Sequence, residues 1–257
     1  LPGIIHSCYK NSKAGSTVVA MMLSTHRLLR TYQNQVDIFI TLTEFAKNKF
    51  IEGGLPKNKI IVKPNFVDPD PGLGKGEGNF ALFVGRLSEE KGIETLLQAW
   101  QDLGDQLPLK IVGDGSLVEL VRNTTQTIPS VEYMGRQPIE VIYQLMGQAK
   151  ALVFPSLWYE GMPRVIIEAF AKGTPVIASK LGSMETLIEH QRTGLHFTAG
   201  NADELVQQVN WMLNHPRDWQ KMRLEARLEY ESYYTADQNY HQLMEIYHYA
   251  LQSAKSK

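Results

Sequence analysis

Six short apolar runs, at residues 80–84, 109–112, 131–134, 151–154, 175–178 and 194–197, alternate with segments long enough for helices. No other feature restricts the fold of this chain so strongly. Parallel strands need crossover connections, and helices laid over both faces of the sheet provide them. The expected fold class is α/β, a doubly wound, six-stranded, Rossmann-like parallel sheet. In such sheets ligands bind outside the carboxyl ends of the strands, where the strand order reverses. Chemistry should therefore be sought just beyond the strand ends.

Upstream, residues 14–30 have helical character, residues 37–42 and 60–62 are strand candidates, and Thr43-Glu44 opens a helix that closes at Gly53-Gly54. Residues 64–78 then gather Pro64, Pro69 and Pro71 with glycines at 72, 74, 76 and 78, a breaker-rich boundary. The chain divides into an N-terminal α/β portion (1–64), a linker (65–79), the sheet domain (80–235) and a last helix (236–257). The glycine run fails the G-x-G-x-x-G spacing and precedes a strand instead of following one, so it reads as a flexible loop.

With 43% hydrophobic residues among 257, the chain can bury a substantial core. A net charge of −1 argues against nucleic acid as a partner. The charge is uneven, since residues 1–63 carry nine Lys/Arg against three Asp/Glu. Such a basic portion suits peripheral contact with an anionic membrane face or an acidic acceptor, although an ordinary solvated surface is the simpler explanation. The single cysteine, Cys8, rules out an intrachain disulfide and fits a reducing, cytoplasmic setting.

Three strand ends carry polar signals. After the first run, Arg86 leaves the strand, Ser88 is placed to cap the next helix, and Lys91 lies in its first turn. A fork-shaped donor and a point charge near one helix start suit a diphosphate, while a local ion pair for Arg86 is the simpler alternative. After the second run, Gly113-Asp114-Gly115 lets a ligand approach the backbone, with Ser116 placed as the cap. After the fourth run, Glu160 lies on a turn and Glu168 inside a helix, with Pro163 at the first helical position and Gly173 just past the end. Cations and acids converging on one crevice suit a sugar joined to a diphosphate.

Taken in order, Gly85-Arg86-Leu87 with Glu90-Lys91-Gly92, Val112-Gly113-Asp114-Gly115, Pro155-Ser156, Glu160-Gly161-Met162-Pro163, Glu168-Ala169 and Gly173-Thr174-Pro175 resemble the group 1 retaining glycosyltransferases. The resemblance covers residues 65–235 and implies a GT-B fold, two Rossmann-like domains of which this chain holds the donor domain. It implies a hexosyltransferase type of enzyme using a UDP-, GDP- or ADP-linked sugar, with no metal or other cofactor, and a carbohydrate or lipid-linked acceptor. It further implies that Arg86 and Lys91 neutralise the leaving diphosphate and that Gly113 and Asp114 line the crevice. The backbone around Met134 would meet the base. Glu160 would contact the transferred sugar, with the amides of Gly161, Met162 and Pro163 nearby, and Glu168 would hold the ribose. The last helix would pack back toward the N-terminal portion.

In this family a complete N-terminal domain precedes the donor domain, whereas only about 63 residues do so here, so the acceptor half reads as largely missing. A nucleotide-sugar-binding fragment without turnover is the alternative. Asp68-Pro69-Asp70 imitates a metal-binding D-x-D, but its place among prolines argues against that role.

Overall fold

The computed structural model describes residues 2–255. Its N-terminal portion comprises α1 (Pro2–Ile5), α2 (Lys13–Leu28), α3 (Thr31–Gln35), β1 (Phe39–Thr41), α4 (Glu44–Glu52) and β2 (Ile60–Val62). Strands β1 and β2 pair in parallel. Thr43 caps α4, its hydroxyl accepting from the Ala46 amide, and Gly53 closes it, as the Thr-Glu and Gly-Gly signals imply.

Six further strands follow: β3 (Ala81–Arg86), β4 (Leu109–Asp114), β5 (Val131–Gly135), β6 (Ala151–Phe154), β7 (Val176–Ser179) and β8 (Gly194–Phe197). They form one all-parallel sheet in the order β5-β4-β3-β6-β7-β8. The connections hold α5 (Ile93–Leu103), α6 (Val118–Thr127), α7 (Ile139–Gln148), α8 (Arg164–Ala171) and α9 (Ser183–Leu187). Helices α10 (Ala202–Asn214), α11 (Pro216–Tyr233) and α12 (Ala236–Lys255) follow, the last of them the expected final helix; Ser256 and Lys257, counted with that helix above, lie outside the described residues.

Successive strand residues point to opposite faces. Phe83, Ile111, Val153 and Ile177 join a core with Trp100 of α5 and Val209 of α10. Leu82, Val112, Leu152 and Val176 join the opposite core with Ile166 and Phe170 of α8 and Tyr230 of α11. Burial on both faces is why these strands read as unbroken apolar runs. Several strands run past their apolar stretch, so Arg86 and Asp114 are paired in register within the sheet instead of lying in the turns.

The glycine stretch departs most from expectation. It is a fixed strap, held by amide bonds from Gly74 to the Lys172 carbonyl (3.0 Å), Gly76 to that of Gly147 (2.8 Å) and Gly78 to that of Gln148 (2.9 Å). A Cβ at Gly74 would come within 2.2 Å of the Gly147 backbone, and one at Gly76 within 2.2 Å of the Arg223 guanidinium. Glycine serves here for close approach and not for flexibility. Asp70 is engaged by both terminal nitrogens of Arg227, at 2.8 and 2.6 Å, which ties the linker to α11. Asn239 of α12 donates to the Pro64 carbonyl at 2.9 Å, so the last helix reaches the end of the N-terminal portion. Among the described residues no helix is long and apolar enough to cross a membrane.

Candidate active site

The strand order reverses between β3 and β6, and the segments leaving these two strands touch. Gly92, at φ +70°, separates a 3₁₀ turn (Glu89–Lys91) from α5, and a Cβ there would lie 1.9 Å from the Pro155 carbonyl oxygen. The Leu157 amide donates to the Glu90 carbonyl at 2.9 Å, joining the two loops. Across this junction the Lys91 Nζ donates to Glu160 Oε1 at 2.7 Å, with side-chain exposures of 22% and 19%. The ammonium also sits over the Phe154 ring, 5.5 Å from its centroid. Ser156, buried, places its hydroxyl 2.8 Å from the same Glu160 oxygen and 3.1 Å from the Glu90 carbonyl. Two donors thus orient one carboxylate oxygen at the switch point, leaving Oε2 for a ligand. Ser156 drew no role from the sequence; a Pro-Ser pair at a strand end, four residues before an acid, is the only signal it gave.

Beside this junction a cavity of about 500 Å³ is lined by Arg86, Gly113, Asp114, Arg136, Gln137 and Ile142. Arg86 is 72% exposed and only 3.7 Å from Glu90, a surface pair that leaves its guanidinium available. Asp114 accepts from the Gly115 amide at 2.8 Å and pairs with Arg136 at 2.9 Å. Arg136 was not singled out in the sequence, where it simply follows a strand-ending glycine. Lys91, Glu160 and Glu168 lie outside the lining of this cavity.

Three expectations need correction. Ser88 occupies an N-cap position, but of the 3₁₀ turn, and makes no capping bond, because Gly92 separates it from α5. Leu117, not Ser116, caps α6. Pro163 is the N-cap of α8 and Arg164 its first residue, one position later than expected. Met162 is buried, with its sulfur accepting from the Asn65 amide at 3.0 Å, so its side chain anchors the linker. The Met134 carbonyl, for its part, already accepts from the Gln137 side chain at 2.6 Å.

Glu168 sits in α8, its side chain 13% exposed, with Arg164 3.7 Å away. Burial pushes its carboxyl above the ordinary range, and Arg164 opposes this only in part; burial and the nearby Glu168 charge push Tyr143 of α7 upward as well. An acid whose folded pKa exceeds its unfolded one makes the fold bind more protons than the unfolded chain. Its stabilising contribution is present below the unfolded pKa and is lost as pH rises through the raised folded value. Glu168→Gln is therefore expected to raise Tm relative to wild type at pH 7, and the gain should shrink toward pH 4; an equal gain at both pH values refutes this.

An acid and a cation are thus paired at the switch point of a doubly wound α/β sheet, beside a cavity rimmed by arginines. The fold matches Anabaena HepE, crystallised with UDP, at a TM-score of 0.75 and 21% identity, covering 81% of this chain and 63% of that one. An uncharacterized glycosyltransferase of Haemophilus influenzae is 33% identical over 221 residues, 81% of this chain and 62% of the relative. Another, of Methanocaldococcus jannaschii, is 29% identical over 181 residues, 70% and 50% respectively. The family profile described as "Glycosyl transferases group 1" matches residues 68–250. The chain belongs to the group 1 glycosyltransferase family, and it spans about 62% of the length of the Haemophilus relative.

Proposed function

We propose that this chain is the donor-binding part of an enzyme that transfers a hexosyl group from a nucleotide-diphosphate sugar to a carbohydrate or lipid-linked acceptor, with retention and without a metal. The observation that carries this reading is the Lys91–Glu160 pair at the switch point, with Ser156 holding the acid. When a diphosphate enters, Lys91 exchanges Glu160 for phosphate oxygens, and Arg86 adds a second cation from the rim. Glu160, released from Lys91 but still held by Ser156, faces the transferred sugar and stabilises positive charge at its anomeric carbon as the diphosphate leaves. These two side chains and Arg86 meet the charge that develops on each side of the breaking bond, the electrostatic part of the reaction. Glu168 takes the ribose hydroxyls, and the crevice over Gly113 and Asp114 takes the nucleotide, with the base toward the end of β5.

HepE was crystallised with UDP-glucose, which favours a uridine nucleotide here. A thermal-shift panel of UDP-, GDP- and ADP-sugars on wild type and Glu168→Ala tests the assignment. One donor, expected to be a UDP-sugar, should stabilise the wild type and do so less in the variant. If no nucleotide or nucleotide sugar shifts the wild type, the donor site is wrongly placed. Donor binding without turnover is the alternative reading. Release of nucleoside diphosphate in the presence of a sugar acceptor separates the two. The basic N-terminal portion and exposed Cys8 suit work at the cytoplasmic face of a membrane.

A further inference from the structure

A second cavity, of about 350 Å³, lies at the opposite ends of the strands, where the chain enters β3 and β6. Its wall includes Asn79 just before β3, Lys150 just before β6, and Gln220 and Arg223 of α11, and none of its lining residues is acidic. Met212, Leu213 and Trp219 supply its apolar part.

Arg223 is the unusual member. Only 5% of it is exposed, yet no carboxylate among the described residues lies within ion-pair distance. Its recorded partners are two carbonyls, Gly74 at 3.0 Å and Ala149 at 3.4 Å. A guanidinium carries five N–H donors, so these two bonds leave three uncommitted. Burial holds its pKa below the ordinary value, and no carboxylate opposes it. Glu77, in the strap itself, lines a neighbouring hollow together with Arg223 but makes no ion pair with it. Lys150, partly buried, likewise has no acidic partner among the described residues. Buried charges are normally paired, because desolvating an ion without a counter-ion costs several kcal/mol. Holding the strap accounts for the carbonyl bonds of Arg223 but not for a second unpaired cation in the same acid-free cavity.

We propose that this cavity binds a small oxyanion-bearing metabolite. Its phosphate or carboxylate head is held by Lys150 and Arg223, with the Asn79 and Gln220 amides as further donors, and its apolar part lies against Met212, Leu213 and Trp219. The site is built from the sheet domain, its flanking helices and the end of the linker strap, on the far side from the donor crevice, and does not depend on the donor assignment.

The test uses the whole chain and follows Tm with inorganic phosphate or succinate, at ionic strength matched with sodium chloride. At ten times the dissociation constant the shift should be about 3 °C or more. Phosphate could also enter the donor site, so the response is compared in Lys150→Gln and in Lys91→Met. It should be lost in the first and retained in the second, while a UDP response, if the donor assignment holds, should do the reverse. Gln220→Glu, which brings a built-in carboxylate to the cavity wall, should raise Tm without added anion and abolish the response. A response to one anion only identifies the head group. The proposal is overturned if neither anion shifts the wild type, if Lys150→Gln responds fully, if Lys91→Met abolishes the response, or if Gln220→Glu leaves it intact.

Discussion

Gly113→Ala is expected to destabilise the protein by about 3 kcal/mol or more, and so to lower Tm by about 6–12 °C. Gly113 has φ +147°, and an added Cβ would stand 1.8 Å from the Gly85 carbonyl oxygen of the adjacent strand. The obstacle is backbone, and it belongs to the register partner of Gly113 in the β3–β4 ladder. Neither strand can yield without displacing Arg86 or Asp114, one residue further on. Gly161→Ala is the control from the other side of the site. A Cβ there meets nothing within 4 Å, and no left-handed φ is required. Its cost should stay below about 1 kcal/mol. Urea unfolding of both variants decides the matter, and equal costs would show that the close approach of β3 and β4 is not what fixes glycine at position 113.

The same contrast explains what could be read in advance. Strands buried on both faces announce themselves as apolar runs, so β6 and β8 were legible to the residue. The polar ends of β3 and β4 were not, because Arg86 and Asp114 continue a ladder that their side chains do not advertise. The strap at residues 72–78 was misread for a related reason. Gly74 and Gly76 are there because Gly147 and Arg223 pass close by, and those neighbours are distant in the chain. Local composition cannot separate a glycine that gives freedom from one that makes room. Likewise, Ser88 and Ser116 look like caps only until the 3₁₀ turn and Leu117 intervene. Lys91 and Glu160 were each visible as candidates, and their convergence followed from both lying beyond strand ends. Their direct bond, and Ser156 beneath it, needed the contact between Gly92 and Pro155.

That bond leads to the second large effect. Removing Lys91 and removing the charge of Glu160 should change UDP affinity in opposite directions. On the proposed function Glu160 competes in the free protein for the ammonium that a diphosphate would take, and nucleotide binding would exchange the 2.7 Å contact for phosphate oxygens. Lys91→Met removes a charge-assisted donor and should weaken UDP binding roughly ten- to a hundred-fold, since such bonds contribute about 1.5–3 kcal/mol. Glu160→Gln removes the competitor and a negative charge near the phosphates. With both side chains partly exposed, the gain should be about 1 kcal/mol or less, up to roughly five-fold tighter UDP. For UDP-glucose the same variant also loses the carboxylate offered to the sugar, so its gain should be smaller than for UDP or reversed. Calorimetric titration of UDP and UDP-glucose into wild type, the two single variants and the double variant measures each term. In the double variant the benefit of Glu160→Gln should largely vanish, because there is no ammonium left to release. If Glu160→Gln weakens UDP as much as Lys91→Met does, the acid is holding the lysine in place for the nucleotide instead of competing for it.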